Sequence, residues 1–356
     1  MSGCRSLLRP LLWVAGRTIF EKFRIAGQSR ARDEQCYWLE AMGLDLWYYM
    51  NSEDTELDCR DCGLDGAHAK ALAASLPRSE IKTLDLAYND LGDVGAQALA
   101  DALSECKIEE LYLWHNKIGD SGCQALAAKL PQSKISKLDL SDNDLGDVGA
   151  QAIAAVLPET KLKELYLRSD NIGDSGGQAI ADVLPESKIE ELFLDSNAIG
   201  DSGAEALAAS LPRSAIKKLW LYQNEFGDVG AQALAAFLPE SKIEELCLAG
   251  NMIAESMAQA LAASLPRSEI KKLDLSEHQL GDVDAQALAA VLPETKLEEL
   301  DLGGNNIGDS GAQALAEVLW LTKIEVLHLG GNNISDIATQ ALETAMAKKE
   351  GLKIHW

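Results

Sequence analysis

Residues 81–107, IKTLDLAYNDLGDVGAQALADALSECK, contain one complete unit of a pattern that the chain repeats. In the first part of this unit, Ile81, Leu84 and Leu86 are expected to face a core. Positions 83, 85, 87 and 88 are expected to point into open space, because neighbouring side chains of a strand lie on opposite faces. The second part, VGAQALADAL, has the alanine-rich composition of a short helix that packs closely against its neighbours. The unit therefore predicts a strand followed by a helix.

The pair Leu-x-Leu marks the strand of each unit and recurs every 27 residues. The pairs are Leu84/Leu86, Leu111/Leu113, Leu138/Leu140, Leu165/Leu167, Leu192/Leu194, Leu219/Leu221, Leu246/Leu248, Leu273/Leu275, Leu300/Leu302 and Leu327/Leu329. The same register extends back to Leu57/Cys59 and forward to Ile354/Trp356. Self-similarity at this period indicates a solenoid of twelve strand positions, not two or three globular domains.

The turn between strand and helix also has a repeated sequence. Asn89 is expected to end the strand, with its amide bonded to the backbone of its own turn and of neighbouring turns. Gly92 is expected to turn the chain, and Asp93 to cap the helix that begins there. In most units a proline such as Pro131 stops the helix.

Strands of one sheet lie about 4.8 Å apart, whereas packed helices need about 8–10 Å, so a stack of such units must curve with its strands inside. The sequence thus predicts an α/β horseshoe with a concave parallel sheet and convex helices. The pattern LxxLxLxxNxIGDxGAQALAxxLP resembles the ribonuclease-inhibitor-like class of leucine-rich repeats. That class includes the repeat regions of nucleotide-binding leucine-rich-repeat receptors and of Ran GTPase-activating proteins. The resemblance covers roughly residues 55–356 and implies the scaffold, not a chemistry.

A few units depart from the pattern. Asp170, His278 and Cys62 replace the asparagine, and Ser104 replaces a proline. The sequence AESM at 254–257 replaces GDSG.

Three regions are predicted along the chain. Residues 1–32 form a basic extension or a targeting segment, with seven Lys or Arg against Glu21 alone. Residues 33–56 lack the repeat, are rich in Trp and Tyr, and are interpreted as the N-terminal cap of the solenoid. Residues 57–356 form the solenoid, with Ile354 and Trp356 closing its other end.

The net charge of the chain restricts the classes of partner that it can bind. A net charge of −24 opposes nucleic acid or an anionic membrane as the main partner and favours a basic protein or peptide. No apolar run reaches the ~18 residues of a membrane span. Seven scattered cysteines favour free thiols in a reducing compartment. We therefore expect a cytoplasmic monomer, with organelle targeting through residues 1–32 as the alternative.

No catalytic or cofactor motif is recognisable in the sequence. The phosphate-binding loop of the receptors is absent, and so are zinc-protease and hydrolase motifs. Cys59 and Cys62 have zinc-like spacing, but no second pair follows, so a structural role is expected. His115 and His328 lie in units too far apart to share a metal. We expect no enzyme, no metal and no cofactor.

Paired charges precede five consecutive Leu-x-Leu pairs and alternate in sign: Glu190-Glu191, Lys217-Lys218, Glu244-Glu245, Lys271-Lys272 and Glu298-Glu299. Equivalent residues of adjacent parallel strands are lateral neighbours, so these pairs are expected to neutralise each other along the sheet.

Large aromatic residues replace Asp or Ser at positions expected to face the open side of the sheet. Trp220 and Tyr222 stand where another unit has Asp139 and Ser141. Clustered Trp, Tyr and Arg have the composition of interface hot spots, although cross-strand aromatic contacts can also simply stiffen a sheet. The predicted protein-binding residues are Tyr112, Trp114, Tyr166, Arg168, Phe193, Asp195, Trp220 and Tyr222.

The sequence therefore predicts a non-enzymatic interaction scaffold that binds a protein or peptide on its concave face. Two alternatives follow from the resemblance: a GTPase-activating protein of the Ran type, or an inhibitor of a basic enzyme similar to ribonuclease inhibitor.

Overall fold

The computed structural model describes residues 55–253 and 256–356, which form one parallel sheet of twelve short strands in chain order. The strands are β1 (Glu56–Asp58), β2 (Thr83–Asp85), β3 (Glu110–Tyr112), β4 (Lys137–Asp139), β5 (Glu164–Tyr166), β6 (Glu191–Phe193), β7 (Lys218–Trp220), β8 (Glu245–Cys247), β9 (Lys272–Asp274), β10 (Glu299–Asp301), β11 (Val326–His328) and β12 (Lys353–His355). Each strand pairs with the next in a register of 27 residues, as between Leu192 and Leu219. The twelve strand positions predicted from the sequence are confirmed.

A helix follows each strand from β1 to β11 and packs against the helix of the next unit. The helices are α1 (Gly66–Ala73), α2 (Gly92–Leu103), α3 (Asp120–Lys129), α4 (Gly146–Ala154), α5 (Asp174–Val183), α6 (Asp201–Ser210), α7 (Asp228–Phe237), α8 (Ser256–Ser264), α9 (Asp282–Val291), α10 (Asp309–Val318) and α11 (Asp336–Lys348). Alternating strands and helices of this kind form the predicted leucine-rich-repeat horseshoe, with the sheet on the concave side.

The core runs the length of the solenoid between sheet and helices. Both leucines of each pair are buried, as Leu192 and Leu194 are, with no exposed surface. A 3₁₀ turn follows most helices and has proline near its start, for example Leu130–Gln132. Where Ser104 replaces that proline, α2 is longer and extends to Leu103.

An asparagine ladder joins successive units at the end of the strands. The Asn89 amide donates to the Leu86 carbonyl and, across the unit boundary, to the Cys59 carbonyl. Its Oδ1 accepts from the backbone N–H groups of Cys62 and Leu64. The equivalent amides of other units donate in the same way to the preceding unit, as the sequence predicts; they are Asn116, Asn143, Asn197, Asn224, Asn251, Asn305 and Asn332.

Two substitutions interrupt this ladder. Asp170 is fully buried, and its Oδ1 accepts from Asn143 N, but its Oδ2 has no hydrogen-bond partner. Burial raises the pKa of Asp170 well above its usual range. His278 is buried as well, with neither ring nitrogen hydrogen-bonded, and burial lowers the pKa of its imidazole. Both sites therefore favour the uncharged side chain.

The aspartate of the GD turn caps the helix of the following unit, which corrects the sequence-based expectation for Asp93. Helix α2 begins at Gly92 and has no side-chain cap. The Asp93 carboxylate instead accepts from Gly119 N and Gly122 N, at the start of α3. Asp147, Asp174 and Asp282 bond the next helix in the same way. The cap therefore ties two units together.

This arrangement explains the GDSG motif. In GDSG at 200–203, Ser202 and the N–H groups of Gly200 and Gly203 donate to Asp174 of the preceding unit. A Cβ on Gly203 would lie 2.9 Å from the Asp174 carboxylate. Glycine is required there because the carboxylate approaches the backbone so closely.

The alternating charges form ion pairs between units, as predicted. Lys217 lies 2.6 Å from Glu190, and Lys271 lies 2.6 Å from Glu244. Lys218 lies 3.1 Å from Glu191 on the preceding strand. Such exposed pairs add little stability each, but a strand shifted by one unit would place like charges side by side.

The two ends of the chain differ in what the structure describes. The predicted extension (1–32) and almost all of the predicted cap (33–56) lie outside the described residues, and Glu56 is the first residue of β1. At the other end Ile354 is buried in the last strand, and Trp356 is half exposed beside Leu329 and Gly330. Nowhere in the described ranges is there a helix long and apolar enough to cross a membrane.

Candidate functional site

Two columns of side chains on the concave face contain the predicted site. The inner column contains the residue between the two leucines of each pair, and the second column contains the residue after the second leucine. All eight predicted binding residues lie in these columns, on or directly after β3, β5, β6 and β7. Six of the eight line one open pocket of about 610 Å³: Trp114, Tyr166, Arg168, Asp195, Trp220 and Tyr222.

An aromatic row runs across β5, β6 and β7. The rings of Tyr166 and Phe193 stack, with centroids 4.2 Å apart and an interplanar angle of 5°. The Phe193 and Trp220 rings are tilted, with centroids 5.6 Å apart. We define Tyr166, Phe193 and Trp220 as the aromatic row.

The row is less exposed than the sequence suggests. Phe193 is only 6% exposed, whereas Trp220 is 36% exposed. The expectation that Phe193 is a solvent-exposed contact residue is therefore wrong, because its neighbours Tyr166 and Trp220 and the Arg168 side chain cover it. Phe193 therefore packs within the wall of the sheet, whereas Trp220 keeps exposed surface.

Arg168 and Asp195 complete the middle of the pocket. The Arg168 guanidinium carbon lies 4.6 Å from the centroid of Phe193 and 5.6 Å from that of Trp220. Its Nε lies 2.8 Å from Asp195 Oδ2; the N–H is not aligned with the oxygen, so the contact is an ion pair. Burial raises the pKa of Asp195, and the charge of Arg168 opposes that rise. An arginine sandwiched between aromatic rings and a carboxylate is thus part of this wall.

Tyr112 and Trp114 belong to a separate cluster, because β4 carries Asp139 and Ser141 between them and the aromatic row. Trp114 is 37% exposed and contacts Tyr88 at 4.6 Å between ring centroids. The Tyr112 hydroxyl donates to Glu110, and burial raises the pKa of Tyr112 to about 12.

The Lys137 side chain lies between the two aromatic clusters. Its ammonium nitrogen lies 5.6 Å from the Tyr112 ring centroid and 5.2 Å from that of Tyr166. The same nitrogen lies 2.8 Å from a carboxylate oxygen of Glu164. A cation of the protein itself thus already occupies this part of the face.

Besides Asp58 and Asp85, three inner-column aspartates were not predicted as site residues: Asp139, Asp274 and Asp301. Each carboxylate accepts from the backbone N–H two residues on, at 2.8–2.9 Å. In the described part of the chain, no lysine or arginine nitrogen lies within 4 Å of any of the three. Aspartate is the commonest residue of this column, so in the sequence only the aromatic exceptions stand out as candidates.

Not every outward position is open. Asp85 and Ala87 are buried, although the sequence places them in open space. Asp85 forms an ion pair with Arg60 of the neighbouring unit, and adjacent concave side chains crowd one another in the same way as at Phe193.

No metal site is apparent in the ranges 55–253 and 256–356, where no group of three or more His, Cys, Asp or Glu could hold an ion. Cys59 and Cys62 are buried. His115 is paired with Asp142 at 2.6 Å, and His328 stacks on His355.

Comparisons with known proteins agree with this architecture. The Leucine Rich repeat family model matches eight segments: 81–100, 105–127, 132–154, 160–181, 187–208, 270–289, 295–316 and 321–342. The fold is similar to the crystal structure of an internalin from Listeria monocytogenes, with 18% sequence identity and a TM-score of 0.53 over 92% of this chain and 94% of that one. No curated protein matches the sequence significantly.

The chain is therefore a leucine-rich repeat protein, a class whose solenoids are typically scaffolds for protein–protein interaction.

Proposed function

We propose that this protein is a non-enzymatic interaction scaffold that binds a protein or peptide partner on its concave face, in the pocket beside the aromatic row. One observation carries the proposal: Trp220, a large aromatic residue, is 36% exposed in the middle of the face, at a position where five other units have aspartate. Exposed tryptophan and tyrosine beside arginine are the residues that dominate binding energy at protein interfaces.

The shape of the pocket favours a polypeptide over a small molecule. Small-molecule sites are usually enclosed and mostly apolar, whereas this pocket is an open trough that crosses several strands. Its lining contains both aromatic and carboxylate groups, such as Trp220 and Asp274. An extended or looped chain can contact such a surface along its length.

The double variant W220D/Y222S tests the proposal, because it gives this unit the residues of Asp139 and Ser141. Partners captured from a native lysate by the wild-type protein and identified by mass spectrometry should be lost. Their affinity should fall by roughly thirtyfold or more, which corresponds to the hot-spot range of about 2 kcal/mol.

The matched control removes exposed apolar residues elsewhere. Trp320 and Leu321 are both half exposed in a 3₁₀ turn where other units have Pro-Glu or Pro-Arg. The variant W320P/L321E should retain the partners. Equal retention by both folded variants would show that the concave face is not the binding surface.

A further inference from the structure

An acidic recess lies on the C-terminal side of the aromatic row. Trp220 and Tyr222 form one wall and Asp274 the other, with Cys247 of the intervening strand between them. Because adjacent strands are about 4.8 Å apart, Trp220 and Asp274 face each other across roughly 10 Å. Cys247 is small and lines the floor of the recess, where its thiol donates to Asp274 Oδ2 at 3.3 Å, and beside it the Tyr222 hydroxyl reaches Glu277 at 3.5 Å.

The recess has an excess of negative charge. Asp274 is the register partner of Asp301, and no lysine or arginine nitrogen of the described residues lies within 4 Å of either carboxylate. By contrast, Asp85 and Asp195 of the same face are each paired with an arginine. Burial raises the pKa of Asp301 and the charge of Asp274 adds to the rise, whereas the hydrogen bond from Gly303 and His328 on the neighbouring strand oppose it. A cation placed here would relieve this repulsion.

The wall beside the recess already contains one arginine held between aromatic rings and a carboxylate. Arg168 lies against Phe193 and Trp220 and contacts Asp195 at 2.8 Å. A guanidinium combines stacking on an aromatic face with a fork of donors for a carboxylate, which an ammonium cannot match. Across the recess, Trp220 offers an aromatic face and Asp274 offers a carboxylate. No arginine of the described residues lies between them.

We propose that the recess formed by Trp220, Tyr222, Cys247 and Asp274 binds an arginine side chain of a basic polypeptide partner. The guanidinium stacks on Trp220 and forms an ion pair with Asp274, and Asp301 adds attraction from the next strand. This inference rests on the proposed function, since it names the chemistry of the partner that the concave face binds.

A labelled peptide tests the arginine site. The probe is a fluorescent ten-residue peptide of alternating arginine and serine, compared with peptides in which lysine or citrulline replaces arginine. Citrulline keeps the shape of arginine but has no charge. In anisotropy titrations at fixed salt, the arginine peptide should bind about tenfold more tightly than the citrulline peptide, and a few-fold more tightly than the lysine peptide.

Substitutions locate the site within the protein. Asp274→Asn keeps an oxygen that can accept from Ser276 N and removes the charge, so it should weaken binding of the arginine peptide about fivefold or more and leave the citrulline peptide unchanged. Asp101→Asn, which removes one charge from the convex helix α2, should change binding less than twofold. Trp220→Leu should reduce the preference for arginine over lysine.

The outcomes separate the two proposals. Equal weakening by Asp274→Asn and Asp101→Asn would attribute binding to net charge and overturn the arginine site. So would equal affinity for the arginine and citrulline peptides. If W220D/Y222S loses the lysate partners while folded Asp274→Asn retains them at full affinity, the interaction face stands and the arginine site is wrong. Should Asp274→Asn fail to fold, Asp301→Asn takes its place, with a smaller loss expected and no loss overturning the site.

Discussion

Asp170 is a buried carboxyl in a position built for an amide. An asparagine there would donate to the carbonyls of two units, as Asn89 does, whereas Asp170 Oδ2 has no partner. Because its pKa is raised in the folded protein, the carboxyl keeps its proton after the unfolded chain has lost it. The stabilising contribution of the protonated Asp170 is therefore fully present below about pH 4, and it is lost as the pH rises toward the folded pKa of this carboxyl.

We expect Asp170→Asn to stabilise the protein at neutral pH by about 1–3 kcal/mol. The asparagine restores the missing hydrogen-bond donors and removes the free-energy cost of keeping a buried carboxyl protonated at that pH. The gain should shrink as pH falls toward 4. Chemical denaturation of both proteins at pH 4 and pH 7 measures it. A gain that is the same at both pH values would show that Asp170 does not titrate between them.

Phe193 and Trp220 are predicted to behave differently although they are neighbours in one row. Phe193→Ala should cost about 2 kcal/mol or more, because it opens a space beneath Tyr166 and Arg168. Trp220→Ala should cost about 1 kcal/mol, as is usual for a partly exposed side chain. Thermal melting of the two variants compares them. Equal costs would contradict the division of the row into a structural and a contact residue.

For individual side chains of the site, the sequence predicted only part of what the structure shows. It identified the columns and six of the residues that line the pocket. It did not show that Phe193 is covered, because covering depends on the rotamers of side chains on adjacent strands. It also could not distinguish Asp195, which is paired with Arg168, from Asp274, which has no such partner. The residue types are the same, and only the neighbours differ.

Among the secondary-structure elements, the helix caps connect one unit to the next. Asp174 lies in the first turn of α5, but its carboxylate accepts from Ser202, Gly200 and Gly203 at the start of α6. The bond from Ser202 and those from the two glycines lower the pKa of Asp174, against a smaller effect of burial. The helix start is thus stabilised by a residue 26–29 positions earlier.

Asp174→Ala should destabilise the protein by about 0.5–2 kcal/mol, the usual cost of losing a helix cap. Since the pKa of Asp174 is lowered on folding, this contribution exists above about pH 4 and is lost as pH falls through the folded pKa. Asp120→Ala is the matched control, because Asp120 has the same place in α3 but no bond from its carboxylate to α4 is found. Urea denaturation at pH 7 should show a larger loss for Asp174→Ala; equal losses would point to the helix dipole instead.

The sequence predicted the strands, the helices and their order correctly, because a 27-residue repeat leaves little freedom. It assigned the GD aspartate to the wrong helix. From one unit alone, Asp93 is close to its own helix, and only stacking brings the next helix start to the carboxylate. Contacts between units cannot be read from a single unit.

For the whole molecule, the first prediction concerns the N-terminal segment. Strand β1 begins at Glu56 and already pairs with β2, so residues 33–54 are predicted to cover the open end of the solenoid. Deleting residues 1–54 should expose apolar repeat surface and cause aggregation. Deleting residues 1–32 should be tolerated. Size-exclusion chromatography and circular dichroism distinguish the outcomes, and a monomeric, fully folded 55–356 fragment would exclude the cap.

The ladders of asparagine, aspartate and paired charges have a mechanical consequence. They join each unit chiefly to the units beside it, so a force that pulls the two ends of the chain apart would act on one boundary at a time. Each unit that peels away would release about 90 Å of chain, from 27 residues at roughly 3.5 Å each less one strand spacing. The units would therefore unfold one after another, and the chain would lengthen in equal steps at a nearly constant force.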